Sequence, residues 1–246
     1  MHEDAVIARL LEAHGVQGQG LAVDIAACDG VSGSNTLALY EQHWHGLAVE
    51  GSPAAFRRLA QTFERFPSVG LARVWVTPEN VLDLLRAHDV RRQFEFLSLD
   101  IDGYDHFVLD AILLAFRPLL ICAEINEKIP PPVRFTVRYD PAYVWAEDHF
   151  YGQSIVALHE LAERHGYALV ELHYNNAFLV PKERCVLPAL SAADAYQTGY
   201  LDLPDRLTHF PWNANMEPLH ALDTEQKLEF LRSHFAAYEG KYDLSA

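Results

Sequence analysis

The sequence predicts an α/β fold: a mostly parallel sheet of seven strands with helices on both faces, followed by a C-terminal appendage. Three observations carry that prediction. Strand-like and helix-like stretches alternate five times between residues 20 and 125, the pattern of a parallel sheet whose crossovers are helices. The first strand runs through a loop of small residues directly into a helix. The alternation then closes on two strands joined by a tight turn at Tyr174-Asn-Asn.

Taken in order, Val6, Leu10, Leu11 and His14 lie at helical spacing and Gly15 can end the run, so residues 3–14 form an opening amphipathic helix. Residues 20–27 read as a buried strand entering the loop Cys28-Asp-Gly-Val-Ser-Gly, after which Ser34 or Asn35 caps a helix over 36–42. Residues 46–50 are a second strand ending in a carboxylate, and Ser52-Pro53 opens a helix with Phe56, Leu59 and Phe63 on its apolar face. A third strand is expected over 69–77, with Pro78 starting a helix through Val81, Leu84 and Leu85. Residues 94–100 form the fourth strand, 107–116 a helix and 118–125 the fifth strand. The stretch 130–141 is rich in proline and aromatics and has no helical period. Long connections of this kind are functional or disordered. Phe135, Tyr139, Tyr143, Trp145, Phe150 and Tyr151 argue against disorder, so 129–153 is expected to be a lid or substrate loop. A helix over 154–165 and strands over 167–173 and 176–181 complete a domain spanning 1–185. Residues 186–246 form an extension packed on it, with one clear helix at 224–238.

Composition limits the function. At 246 residues, half of them hydrophobic, the chain can bury one large core. The start MHEDAVIARLLEAHG lacks the basic residues and unbroken apolar run of a signal peptide. The longest apolar stretch, 116–123, contains Arg117 and Pro118 and is too short for a bilayer. A soluble, cytoplasmic protein with no membrane partner is expected. Cys28, Cys122 and Cys185 are too widely spaced for a disulfide framework or a zinc site. A net charge of −15 repels phosphate backbones, and Arg57-Arg58 and Arg91-Arg92 read as solvated helix and loop positions. The expected partner is a small molecule and not a nucleic acid; a homo-oligomer is left open.

In open parallel sheets the ligand lies at the carboxyl ends of the strands. There the first loop, of small residues, lets a ligand approach the backbone, and Glu50 is placed to accept hydrogen bonds from a ribose diol. Such an acidic residue follows the glycine turn of dinucleotide sites by about 20 residues, as Glu50 follows Gly30. The G-x-G-x-x-G spacing that seats a pyrophosphate is absent, however. Asp24 would repel a pyrophosphate but suits the sulfonium and ammonium of S-adenosylmethionine.

Val23-Asp-Ile-Ala-Ala-Cys-Asp-Gly, Ser34-Asn-Thr, Trp44-His-Gly-Leu-Ala-Val-Glu and Asn176-Ala-Phe-Leu-Val resemble the FkbM-like branch of class I methyltransferases, over residues 20–182. The resemblance implies a Rossmann-like sheet and methyl transfer from S-adenosylmethionine to an oxygen, in second place a nitrogen, of a small polar metabolite. Many relatives serve secondary metabolism. It also implies methionine-end contacts near Asp24, Cys28 and Gly30, ribose contact by Glu50 and adenine contact near Thr77. Ala26, Asn35 and Asp100 complete the candidate cofactor residues. The chain departs from the family in having Ala26 and Cys28 where glycine is common. The competing reading is an unrelated α/β fold in which Asp24 and Glu50 only cap strand ends.

Asp100, Asp102 and Asp105 follow the fourth strand, and Glu124 and Asn126 the fifth. Carboxylates crowded at one crevice repel unless a cation or protons intervene, and oxygen-only ligation selects Mg, Ca or Mn. The arrangement is similar to that of catechol-type O-methyltransferases, which implies Mg or Mn held by Asp100, Asp102, Glu124 and Asn126. Glu-Ile-Asn stands here where that family has adjacent Asp-Asn. Alternatively Asp105 is a helix cap and Asp102-Gly-Tyr a turn. Of the 13 histidines, His106, His149 and His173 stand beside these features, and Asp100, His106 and His149 are the candidate catalytic residues. Two other classes fit the same residues: a metal-dependent, hydrolase-like enzyme without a methyl donor, and a catalytically silent binding or assembly protein.

Overall fold

Five short strands, β1 (Leu21–Ile25), β2 (His45–Val49), β3 (Val69–Ala72), β4 (Phe96–Leu99) and β5 (Leu120–Glu124), pair in parallel in the order β3-β2-β1-β4-β5. In this computed structural model, which describes residues 3–246, the sheet reaches seven strands through β8 (Asn176–Pro181) and then β7 (Tyr167–His173). The predicted α/β class therefore stands. No helix among the described residues is long and apolar enough to cross a membrane.

The chain divides into two compact units interleaved in sequence. The first runs to Ile101 and includes 107–123 and 180–187; the second holds 102–106, 124–179 and 188–246. The segments 129–153 and 188–246 thus belong to one and the same unit.

In the first unit, α1 (Asp4–Ala13), α2 (Leu37–Glu41), α3 (Pro53–Phe63), α4 (Val81–Ala87) and most of α5 (Asp105–Ala115) accompany β1 to β5. The strands are short and nearly wholly buried, with Val23, Leu47, Leu97 and Ile121 at 0–1 % exposure. Gly46 is required in β2, since a Cβ there would lie 2.4 Å from the Ala22 carbonyl and 2.5 Å from the Tyr40 ring. Ser52 accepts from Ala55 N and Pro53 fills the first turn of α3, as the sequence predicts. The cap residue of α2 is Thr36 and neither of the two expected ones, because the helix starts at Leu37; Ser34 Oγ still accepts from Leu37 N at 3.1 Å. The third strand ends at Ala72 and not at residue 77. Asn80 explains the early end, because its amide accepts from Thr77 N at 2.8 Å and donates to the Trp75 carbonyl at 2.9 Å, folding 73–80 into a loop.

Register sets the site. Ile25 is level with Val49 on one side and Leu99 on the other. Glu50 and Asp100, each one residue past its strand, therefore emerge beside the first loop.

In the second unit, the proline-rich stretch forms a strand, β6 (Arg134–Val137), which pairs antiparallel with β9 (Tyr242–Ser245). Phe135, Val137 and Phe150 are buried with Met216, Leu219, Leu231 and Phe235. Phe150 stacks on Tyr238 at 3.9 Å. The segment expected to be a loop thus supplies core. α6 (Ile155–Arg164) precedes β7, and the C-terminal part holds more than one helix: α7 (Ala192–Tyr196), α8 (Arg206–His209) and α9 (Thr224–His234), with a π-helical turn (Gln197–Leu201) after α7 and two 3-10 turns between α8 and α9. α9 starts on a capping box of Asp223 and Gln226.

Candidate functional site

Asp24 leaves β1 4 % exposed and accepts a 2.5 Å hydrogen bond from the Thr36 hydroxyl. Burial pushes its carboxyl up from 3.8 to about 6; the Thr36 bond opposes that rise, and the nearby charges of Asp100 and Glu50 add to it.

The following loop has left-handed backbone at Ala26 (φ 70°), Cys28 (φ 50°) and Gly30 (φ 75°). Only glycine takes that conformation freely; other residues bear about 1–2 kcal/mol each. Ala26 and Cys28 thus hold a backbone conformation that glycine would take more freely. What holds them is a dense set of bonds. Ala26 N and Ala27 N both donate to the Val49 carbonyl at 2.9 Å, and Cys28 N donates to Glu50 Oε2 at 3.0 Å. Asp29 Oδ1 accepts from Val31 N and Ser32 N, which holds that carboxyl below its ordinary range. At Gly30 a Cβ would sit 2.3 Å from the Phe63 ring, so α3 packs directly on the loop.

Glu50, 7 % exposed, braces two segments at once, since Oε1 also accepts from Ser52 N at 2.6 Å. Each oxygen keeps a second lone pair for another donor. Asn35 turns inward, its Nδ2 donating to Ser98 Oγ at 3.2 Å and facing Cys122 Sγ at 3.5 Å. Thr77 lies in the loop that Asn80 clamps. Trp75, in the same loop, escaped the sequence reading because it was placed inside a strand. It is 65 % exposed and lies against Gly51, where a Cβ would meet the indole at 2.4 Å, so it walls the space next to Glu50.

Asp100, Asp102 and Glu124 offer carboxylate oxygens within 4.8 Å of one another. Asp102 is left-handed (φ 52°), and Asp105, fully buried at the head of α5, accepts from Gly103 N at 2.9 Å. Asp105 thus closes the turn ahead of α5. Glu124 Oε1 accepts from Asn175 Nδ2 at 2.9 Å. Asn126 is fully buried; its Nδ2 donates to the carbonyls of His149 (2.9 Å) and Tyr151 (3.0 Å), while Oδ1 is buried without a partner. His106 is buried with Nδ1 2.9 Å from Gln153 Oε1. His149 Nε2 lies 3.0 Å from Asn215 Oδ1, with its ring 5.5 Å from His234. Burial, then Lys128 and His234, hold His149 below 6.5. His173 packs edge-on against Tyr174.

A buried polar network in the second unit was not foreseen. Lys128 and Glu127 are 2 % and 1 % exposed. The Lys128 ammonium donates to Tyr151 Oη at 2.6 Å and lies 3.2 Å from Glu127 Oε1, which also accepts from Asn213 Nδ2 at 2.6 Å. Tyr151 in turn donates to Glu127 Oε2 at 2.8 Å; burial first, then the Glu127 charge, raises its phenol well above 10. Adjacent Glu and Lys normally mark a solvated surface, which is why Glu127-Lys128 gave no signal.

No protein-family model matches the chain, and no curated protein matches it. Solved structures are similar to it at low identity. The N-terminal domain of EvdMO1 with SAH bound is 15 % identical over 74 % of this chain and 81 % of that one, with a TM-score of 0.47. A putative O-methyltransferase from Klebsiella pneumoniae is 13 % identical over 72 % and 78 %, with a TM-score of 0.46. Magnesium protoporphyrin IX methyltransferase (ChlM) from Synechocystis PCC 6803 with bound SAM is 10 % identical over 72 % and 75 %, with a TM-score of 0.44.

Proposed function

We propose that this chain is an S-adenosylmethionine-dependent class I methyltransferase of the FkbM-like branch, acting on an oxygen, in second place a nitrogen, of a small polar metabolite. The observation that carries the reading is the pairing of buried Asp24 with a glycine-shaped loop braced by Glu50. When bound, S-adenosylmethionine supplies an electrophilic methyl group on a sulfonium. Asp24 balances the charge of its methionine end, Glu50 accepts from the ribose diol, and Thr77 with Trp75 borders the adenine side. Ala26, Cys28 and Gly30 admit the ligand to the backbone, and Asn35 and Asp100 shape the floor.

The residues present also fit a divalent cation. Three carboxylates whose oxygens lie within 4.8 Å of one another are an all-oxygen donor group suited to Mg or Mn, and Asn126 Oδ1, buried without a partner, is the candidate fourth donor. Asp100, Asp102, Glu124 and Asn126 would hold it, and it would lower the pKa of an acceptor hydroxyl and orient that group. Asp100, His106 and His149 are the candidate bases. With Nδ1 of His106 donating to Gln153 Oε1, Nε2 is the basic nitrogen of the neutral ring.

Calorimetric titration with S-adenosylhomocysteine tests the proposal. Saturable one-site binding that weakens at least about tenfold in Glu50→Gln, one charge-assisted hydrogen bond's worth, is the expected result. No binding at millimolar ligand rejects it.

A further inference from the structure

Where β4 and β5 begin, at the ends of the strands remote from Asp24 and Glu50, the first unit contains a cavity of about 780 Å³. Its walls come from the loop after α1 (15–19), the approach to β4 (91–95), Arg117 and Leu119 before β5, and the turn 181–184 after β8. These segments are tied together. Arg117 N donates to the Arg92 carbonyl at 2.6 Å, Leu21 N to Glu95 Oε2 at 2.8 Å, and Val186 N to His14 Nε2 at 3.4 Å.

The cavity gathers four arginines and two glutamates, in a chain whose net charge is −15. Both carboxylates are committed: Glu183 takes Arg117 with two bonds, at 3.1 and 2.7 Å, and Glu95 pairs with Arg91. Among the described residues the side chains of Arg92 and Arg184 make no close ion pair; the Arg184 charge, with that of Arg117, acts on Glu183, so four arginines share two carboxylates and the lining keeps an excess of positive charge. Three glutamines add neutral donors, and Phe94 and Leu119 an apolar surface. Arg91 and Arg92 are exposed loop residues, as the sequence predicts, and the register of β4 and β5 brings Arg117 to them.

Guanidinium forks match phosphate oxygens two at a time, the excess of positive charge suits a dianion, and the volume falls in the range of small-molecule sites. The surrounding negative charge disfavours an extended polyanion. We infer that this cavity binds a small organic phosphate, its phosphate taken by Arg92 and Arg184 and its carbon skeleton by the apolar surface. The site is independent of the methyl-transfer reading.

Phenyl phosphate is the probe, with phenol as its uncharged control, titrated calorimetrically at low ionic strength. The expected result is one saturable site for phenyl phosphate, none for phenol, and binding weakened about tenfold or more in Arg92→Glu/Arg184→Glu with an unchanged melting temperature. The milder Arg92→Gln/Arg184→Gln replaces it should the charge reversal unfold the chain. Absence of saturable binding, equal binding by the variants, or binding of phenol overturns the assignment. A single-stranded oligonucleotide that binds more tightly than phenyl phosphate through the same arginines also overturns it.

Discussion

Asp24→Asn separates the needs of the empty protein from those of its ligand. In the folded chain the Asp24 carboxyl titrates near 6, against 3.8 for the unperturbed group. Because the folded value is raised, the stabilising contribution is full below pH 3.8 and is lost as pH rises through about 6. That rise corresponds to about 3 kcal/mol lost by the wild type above that window. Asn is nearly isosteric, accepts the Thr36 hydroxyl through Oδ1, and does not ionise. Urea unfolding of the two proteins from pH 4 to 8 should therefore show a stability difference near zero at the acid end that grows in favour of the variant to about 3 kcal/mol at pH 8. The variant-minus-wild-type difference cancels the histidines that titrate in both. S-adenosylmethionine should behave oppositely, binding the variant about tenfold to a hundredfold more weakly for want of a charged partner. Its affinity for the wild type should fall as pH drops through about 6. A stability difference that does not change with pH, or equal affinity of both proteins for the sulfonium, would refute the reasoning.

Four further outcomes are expected. Ala26→Gly relieves left-handed strain of about 1–2 kcal/mol against about 0.4–1 kcal/mol of added unfolded-chain entropy, so it should stabilise by about 1 kcal/mol or less in urea; a clear loss of stability counts against the strain. S-adenosylhomocysteine should quench a fluorescence component that Trp75→Phe removes, since that indole is exposed beside Glu50. Lys128→Met strands the buried Glu127 carboxylate and should cost about 3–5 kcal/mol, with partial recovery in the Glu127→Gln/Lys128→Met double variant, read by chemical unfolding. Manganese binding followed by electron paramagnetic resonance should be saturable in the wild type and weakened in Asp100→Ala, and unchanged binding would remove Asp100 from the ligand set.

Legibility in the sequence followed how local each signal was. The strands β1 to β5 were readable because each is a short, mostly apolar run, wholly buried in β4 and β5 and partly in β1 to β3, and strand-end carboxylates stand out against such runs. Asp24, Glu50, Asp100 and Glu124 were found that way. β6 and β9 were not: residues 134–137 and 242–245 each alternate polar and apolar, but four residues are too few to stand out from a loop, and their pairing is remote in sequence. Trp75 was hidden by assuming that β-branched residues continue the third strand, when Asn80 captures the backbone instead. Thr36 was read as the start of a helix, and its bond to Asp24 depends on how α2 returns to β1. The arginines of the strand-start cavity are split among residues 91–92, 117 and 184, so no window of the sequence contains them together.

The double engagement of Glu50 bears on how a ligand would arrive. Because Cys28 N and Ser52 N are already fastened to its two oxygens, the backbone on both sides of Glu50 has given up its conformational freedom before any encounter. Association then needs little ordering of the backbone, and calorimetry should show a heat-capacity change no larger than the apolar area of one nucleoside and one amino acid accounts for. A larger change would mean that the loop folds around its guest.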